Sequence, residues 1–145
     1  MTPHIVPGWN PLGRSPVSDD ELFELLAAAV FQARFRPEIV RARWPAIRDA
    51  FAGFRLDEVA RWPDERAVAL LGAPGMIRSP KKIRATLRNA RDLRARGARG
   101  GGALAYLASY ADDEALVEEL DDWAHYVGAP SLRWFVHEAR HAGEA

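Results

Sequence analysis

Nowhere along this chain do apolar and polar side chains alternate over the length of a strand. Apolar residues instead recur three and four apart, in stretches separated by Pro and Gly. Leu22, Phe23, Leu25, Leu26, Ala29, Val30 and Ala33 follow one such stretch, with Ser18 and Glu21 placed as a capping box before it. Pro37 opens the next, with Ile39 and Val40 inward. Pro45 is expected to interrupt it before Ile47, Ala50 and Phe51 carry on to Gly53. Short helical turns are expected over 56–61 and 63–71, and a loop over Gly72 to Gly75. Ser79-Pro80 starts a long helix lined by Ile83, Leu87, Ala90 and Leu93. The Gly97 to Gly102 segment breaks it. Helices over 103–110, 112–124 and 131–142 complete a compact all-α fold of seven to nine helices. Residues 1–17, rich in Pro and containing Gly-Trp-Asn-Pro-Leu-Gly, read as an extended N-terminal arm on a domain spanning 18–145.

That pattern needs a core, and the chain can supply one. It has 145 residues, 48% of them hydrophobic, which is enough to bury a core without staples. It has no cysteine, which removes disulfides, thiolate metal sites and cysteine nucleophiles. No apolar run approaches 18 residues and the N-terminus lacks a signal-peptide pattern, so the expected location is cytoplasmic, with no membrane partner.

Net charge is zero, but the charges are segregated. Arg78 to Arg99 carries nine bases against the single acid Asp92, and Arg34 to Arg48 carries five against Glu38. Asp112 to Asp122 carries seven acids and no base. Such runs are commonly solvated helix faces, but two basic runs in a neutral protein also suit a polyanion-facing side. Of the 20 bases 18 are Arg, a composition that favours bidentate phosphate contacts and that a GC-rich coding sequence would equally produce.

Catalytic motifs are sparse. There is no phosphate-binding Gly-rich loop after a strand, and none of Ser15, Ser18, Ser79, Ser109 and Ser131 sits in a nucleophile elbow. His137 and His141 share a helix face, but such pairs are mostly surface residues and no metal is expected. Two segments are more specific. Tyr126-Val-Gly-Ala-Pro-Ser-Leu-Arg133 is a tight turn opening into a helix, which would aim the amides of Val127, Gly128 and Ala129, with Ser131 and Arg133, at a phosphate. Phe31-Gln32-Ala33-Arg34-Phe35-Arg36-Pro37 combines aromatics, an amide and Arg in a loop, which suits insertion into a base stack. Phe31 and Phe35 are equally spaced as i, i+4 core residues.

Four stretches together resemble the DNA-3-methyladenine glycosylase I family of the helix-hairpin-helix DNA glycosylases. Asp20-Glu-Leu-Phe-Glu-Leu-Leu is similar to the family's opening helix. Phe31-Gln-Ala through Ile39-Val, then Arg48-Asp-Ala-Phe-Ala-Gly-Phe54 and Val59-Ala60, resembles its Gln-Ala-Gly-Leu-Ser-Trp, Arg-x-x-Phe and Val-Ala segment. Gly75-Met-Ile-Arg-Ser-Pro-Lys-Lys-Ile83 with Asn89-Ala-Arg91 is similar to its Gly-Ile-Ile-Arg, Lys-Ile and Asn-Ala-Arg pattern. Tyr126-Val-Gly128 with Phe135 is similar to its Phe-Val-Gly hairpin and following helix.

The resemblance implies a monofunctional DNA glycosylase of base excision repair. Such an enzyme flips an alkylated base such as 3-methyladenine out of double-stranded DNA and releases it hydrolytically. It would be a monomer, associated with the nucleoid. The alternative is a non-catalytic DNA-binding or damage-sensing relative that has lost the pocket. The family's structural zinc is held by two Cys and two His, so with no cysteine here no cofactor is expected. The family's base-recognition Glu falls at Ala29 and its pocket Trp at Pro37, which leaves Glu38 as the nearest candidate catalytic carboxylate. Trp9, Phe31, Gln32, Phe35 and Trp44 are candidates for the base pocket or wedge. Val127, Gly128, Ala129, Ser131 and Arg133, with Arg78, Lys81, Lys82, Arg34 and Arg36, are candidates for DNA-backbone contacts.

Overall fold

The structure is a computed structural model that describes residues 7–144. Among the described residues there is no strand. Eight helices follow in order: α1 (Asp19–Gln32), α2 (Pro37–Ala50), α3 (Leu56–Ala60), α4 (Arg66–Leu71), α5 (Pro80–Gly97), α6 (Ala103–Ala108), α7 (Asp113–Trp123) and α8 (Ala129–His141), with a 3-10 turn at Ala52–Phe54.

α1 is the axis of the molecule. Every residue from Leu22 to Phe31 is buried, as expected of a helix that is apolar nearly all round. α8, α5, α2 and α6 pack around it. Ser18 caps it by accepting from the Glu21 N–H (3.1 Å), with Asp19, Asp20 and Glu21 in its first turn.

α2 does not break at Pro45 but continues through it. Pro45 is exposed, so the Arg41 carbonyl that it leaves without a helical donor can turn to water. Val40, Trp44, Ile47 and Phe51, spaced four, three and four apart, are buried on both sides of it and hold one register. α8 starts two residues earlier than expected, with Gly128 as its N-cap and Pro130 in its first turn. α4 starts at Arg66 rather than Pro63, because Pro63 to Glu65 form turns whose carbonyls accept one residue short of α-helical spacing.

The arm is not free of the domain. Residues 1–6 lie outside the described residues, and residues 7–17 lie against α1 and α8. Asn10 Nδ2 donates to Glu138 Oε1 (3.1 Å), Ser15 Oγ donates to the Glu138 carbonyl (2.9 Å), and the Ala142 N–H donates to Ser15 Oγ (3.3 Å). Gly8 lies so close to the Trp134 indole that an added Cβ would stand 2.5 Å from Nε1. These contacts tie the two ends of the described chain together. The donor set does not suit a metal: the chain has no cysteine, and no group of three metal-ligating side chains occurs among the described residues. His141 instead faces Asp113 (2.8 Å) and Glu144 (3.1 Å), while Arg140 reaches Asp113 (3.0 Å) and the Leu107 and Tyr110 carbonyls.

Candidate nucleic-acid interface

The α1–α2 loop and the start of α5 meet at the end of the molecule where α1 finishes. The Lys82 ammonium, at the start of α5, donates to the Phe31 carbonyl at the end of α1 (2.7 Å). After α5, the Leu104 N–H donates to Asp19 at the start of α1 (3.0 Å), so α1 and α5 run antiparallel. α8 also runs against α1. Its far end meets the arm beside the α1 start, and the Gly8-Trp9 segment ties its near end to the α1 finish through Trp134 and Gln32. The α1–α2 loop and the α5 N-terminus therefore share one end, and the α7–α8 hairpin is anchored about midway along α5, at Asn89 and Asp92.

The α1–α2 loop is strained and projects its aromatic. Arg34 is exposed and left-handed (φ 53°), a conformation uncommon for a residue with a Cβ. Phe35 follows it with 38% of its surface exposed. The Lys82 ammonium lies 4.5 Å from the Phe35 ring centroid. A cleft of about 580 Å³ opens beside Phe35, lined by Ile39, Arg43, Met76, Ile77, Arg78 and Ser79 among others. Its far wall depends on Gly75. That residue is left-handed (φ 76°), and a Cβ on it would stand 2.7 Å from the Ala46 Cβ.

The hairpin is fixed from below. Asn89, buried on α5, accepts from the His125 N–H (2.7 Å) and donates to the His125 carbonyl (3.2 Å), while His125 Nε2 meets Asp92 (2.8 Å). Tyr126 is left-handed (φ 60°) and exposed, and Val127 turns into the core. The first backbone bond of α8 runs from the Leu132 N–H to the Gly128 carbonyl (2.9 Å). The Ala129 and Ser131 N–H groups precede it and have no partner inside the helix.

The sequence candidates separate into distinct roles. Phe31 and Trp44 are core residues. Phe31 is fully buried, edge-on to Trp44 and Phe51, and Trp44 stacks on Phe54. Trp9 is half-buried, edge-on to Trp44 at 5.8 Å. Gln32 is engaged by the arm: it accepts from the Trp9 N–H (2.7 Å) and donates to the Trp9 (2.9 Å) and Ala28 (3.0 Å) carbonyls. Lys82 is 5% exposed with its ammonium on the Phe31 carbonyl, and burial pulls that ammonium down to about 8. Arg36 pairs with Glu38 (2.8 Å) and Arg133 with Glu114 (3.4 Å), while Arg34, Arg78 and Lys81 are exposed. The Glu38 side chain is 63% exposed in the first turn of α2. Its own backbone N–H and then Arg36 hold it below the usual carboxylate range.

Among the described residues the one buried carboxylate is Glu24. It accepts from Trp44 Nε1 (2.9 Å) and meets Arg48 (3.5 Å). It lines a polar cleft of about 790 Å³ with Asp20, Glu21 and Asp49 at the opposite end of α1. Two of those acids are occupied: Glu21 by Arg14, which holds it near 2, and Asp20 by the Leu56 N–H. Sequence reasoning gave no role to Glu24, Asn89 or Trp134. A lone acid within the apolar run 22–31 was the available signal for Glu24. Asn89 stood in a quoted motif with its function unread.

The family model for methyladenine glycosylase matches residues 10–130. Three solved structures share the fold. A crystal structure of 3-methyladenine DNA glycosylase I is 22% identical (TM-score 0.74, 88% of this chain, 81% of that one). The Staphylococcus aureus enzyme of the same name, studied for recognition of 3-methyladenine, is 19% identical (TM-score 0.74, 88% and 79%). A Tyr-to-Phe variant of the enzyme in complex with 3-methyladenine is 19% identical (TM-score 0.77, 88% and 80%). At these identities the likeness is one of fold. No curated protein matches.

Proposed function

The chain belongs to the methyladenine glycosylase family, a DNA glycosylase for alkylated bases, and we propose that it takes double-stranded DNA as a monomer and releases 3-methyladenine. The observation that carries this reading is an exposed aromatic on a strained loop at the end of α1, together with a hairpin held on α5 whose Ala129 and Ser131 amides have no partner inside α8.

In this reading the Ala129 and Ser131 amides hold a phosphate, and Phe35 enters the gap left by the displaced nucleotide. Unstacking costs a few kcal/mol, least for a damaged base. An N3-alkylated adenine carries positive charge. When the glycosidic bond breaks, its electron pair moves onto the base, which leaves neutral. Water adds to the sugar C1′ and gives up a proton. The protein therefore has to hold a cation against aromatic faces and negative charge. Trp9 is the half-buried aromatic at this end, and Glu38 is the carboxylate that follows the loop in the first turn of α2. To act, Glu38 must exchange Arg36 for the base cation. Arg133 adds a phosphate contact beside the amides, and Arg34, Arg36, Arg78 and Lys81 add others at the end of α1.

No helix of the described residues is long and apolar enough to cross a membrane. A DNA substrate favours a working location with the nucleoid. The deciding experiment incubates purified protein with methylated duplex DNA and measures free bases by chromatography. Released 3-methyladenine supports the reading. Bound duplex with no released base favours a damage-sensing relative.

A further inference from the structure

The basic residues of α5 have two fates. In its second half they are neutralised: Arg91 reaches Asp64 (2.6 Å), Arg94 reaches Asp57 (2.8 Å), and Arg96 lies near Glu119 (3.7 Å) and over the Trp123 ring. In its first half Lys82 is buried on the Phe31 carbonyl, whereas Lys81, Arg84 and Arg88, with Arg78 just before the helix, are exposed and form no ion pair among the described residues. Positions 81, 84 and 88 fall on one helix face. Like charges at this spacing repel one another and cost helix stability. The neighbouring elements place paired acids on the second half of α5, whereas on the first half the acid that acts on Arg88, Asp64, is already bonded to Arg91.

The stripe also has a direction. Its head lies next to Lys82, whose ammonium sits against Phe35 and the end of α1. Its tail, Arg88, is one turn short of Asp92, the acid that continues the same face. His125, at the start of the hairpin, occupies Asp92 (2.8 Å), so the tail meets the hairpin and the acid there is already partnered.

We infer that Arg78, Lys81, Arg84 and Arg88 form a second DNA-backbone site, apart from the hairpin, that lies along one strand of the duplex between the Phe35 loop and the hairpin. This rests on the glycosylase reading above. Seven residues of helix span about 10 Å, and a strand presents a phosphate about every 3.4 Å of axis, so the stripe matches about three phosphates. The partner is a phosphate backbone rather than a base edge. The face offers cations without aromatic platforms, so the site adds affinity and salt dependence but no sequence preference.

The test is binding of a fluorescein-labelled duplex by anisotropy from 50 to 200 mM salt, with wild type and the double variant Arg84→Gln, Arg88→Gln. Each lost phosphate contact lowers the slope of log K against log salt by about 0.9, so the double variant is expected to lose about 2 from the slope and more than about tenfold in affinity at 100 mM salt. Its melting temperature is expected to be unchanged or raised, since repulsion is relieved. Arg84→Lys with Arg88→Lys keeps the charge and is expected to keep the slope. A wild type that binds duplex with a slope the Gln variant leaves unchanged overturns the second site while leaving the glycosylase intact. A wild type with a flat salt dependence overturns both. Self-association of the wild type, lost in the Gln variant with an unchanged DNA slope, assigns the stripe to an acidic face of a second copy and overturns the inference.

Discussion

The Lys82 ammonium donates to the Phe31 carbonyl at 2.7 Å and so closes the last turn of α1 with the first turn of α5. α1 has no basic residue in its own last turn, so the cation that its C-terminus favours comes from another helix.

Replacing Lys82 with Met should leave that carbonyl unpartnered and destabilise the protein by about 1–3 kcal/mol. The pH dependence has a definite sign. Burial holds the folded ammonium near 8 against the ordinary 10.5. Between those values the unfolded chain carries more protons than the folded one, so wild-type stability gains with rising pH over that window. Lys82→Met should remove this gain. Urea denaturation of both proteins at pH 7 and pH 10 checks it; parallel trends would show that the ammonium is not desolvated.

Phe31 and Phe35 form a contrasting pair. Phe31→Ala removes a fully buried ring and should cost about 3–5 kcal/mol. Phe35→Ala removes a ring 38% exposed and should shift stability by under about 1 kcal/mol, while slowing base release from duplex DNA at least about tenfold. Thermal melts with single-turnover glycosylase assays separate the two. A Phe35→Ala protein with unaltered release would remove the ring from the flipping step.

The periodicity of single residues was enough to read α1 and α5. Ser18 and Ser79 cap where expected, and the apolar faces are those that are buried. Continuation through Pro45 was hidden because it depends on exposure of one proline and on packing of Trp44 and Ile47 against residues distant in sequence. The same limit applies to the site. Phe31 and Phe35 share i, i+4 spacing, and the helix end at Gln32 is what separates the core ring from the projecting one. Lys82 reads as one more base in a basic run until its carbonyl partner, 51 residues earlier, is placed beside it.

Glu38 gives a prediction about acid. Its own N–H and Arg36 hold it below the usual carboxylate range, so it stays anionic as pH falls from 7 to about 5. If it meets the base cation, base release should be flat over that range and decline only in stronger acid. Glu38→Gln should slow release of a cationic base at least about tenfold. An unchanged rate in Glu38→Gln would leave the aromatic faces as the source of stabilisation.

The hairpin depends on Asn89, which is 1% exposed and uses both ends of its amide on the His125 backbone. Asn89→Ala leaves a donor and an acceptor of that turn without partners and should cost about 1–3 kcal/mol. The Ala129 and Ser131 amides lie just beyond the turn, so duplex affinity should fall about tenfold at fixed salt. Asn89→Asp keeps the acceptor for the His125 N–H but loses the donor to its carbonyl, and should recover part of both losses. Melting temperature and duplex anisotropy, measured together for the two variants, check this. If Asn89→Ala lowers the melting temperature but leaves affinity untouched, the hairpin amides are not a phosphate anchor and the contact belongs to the cations of α5 alone.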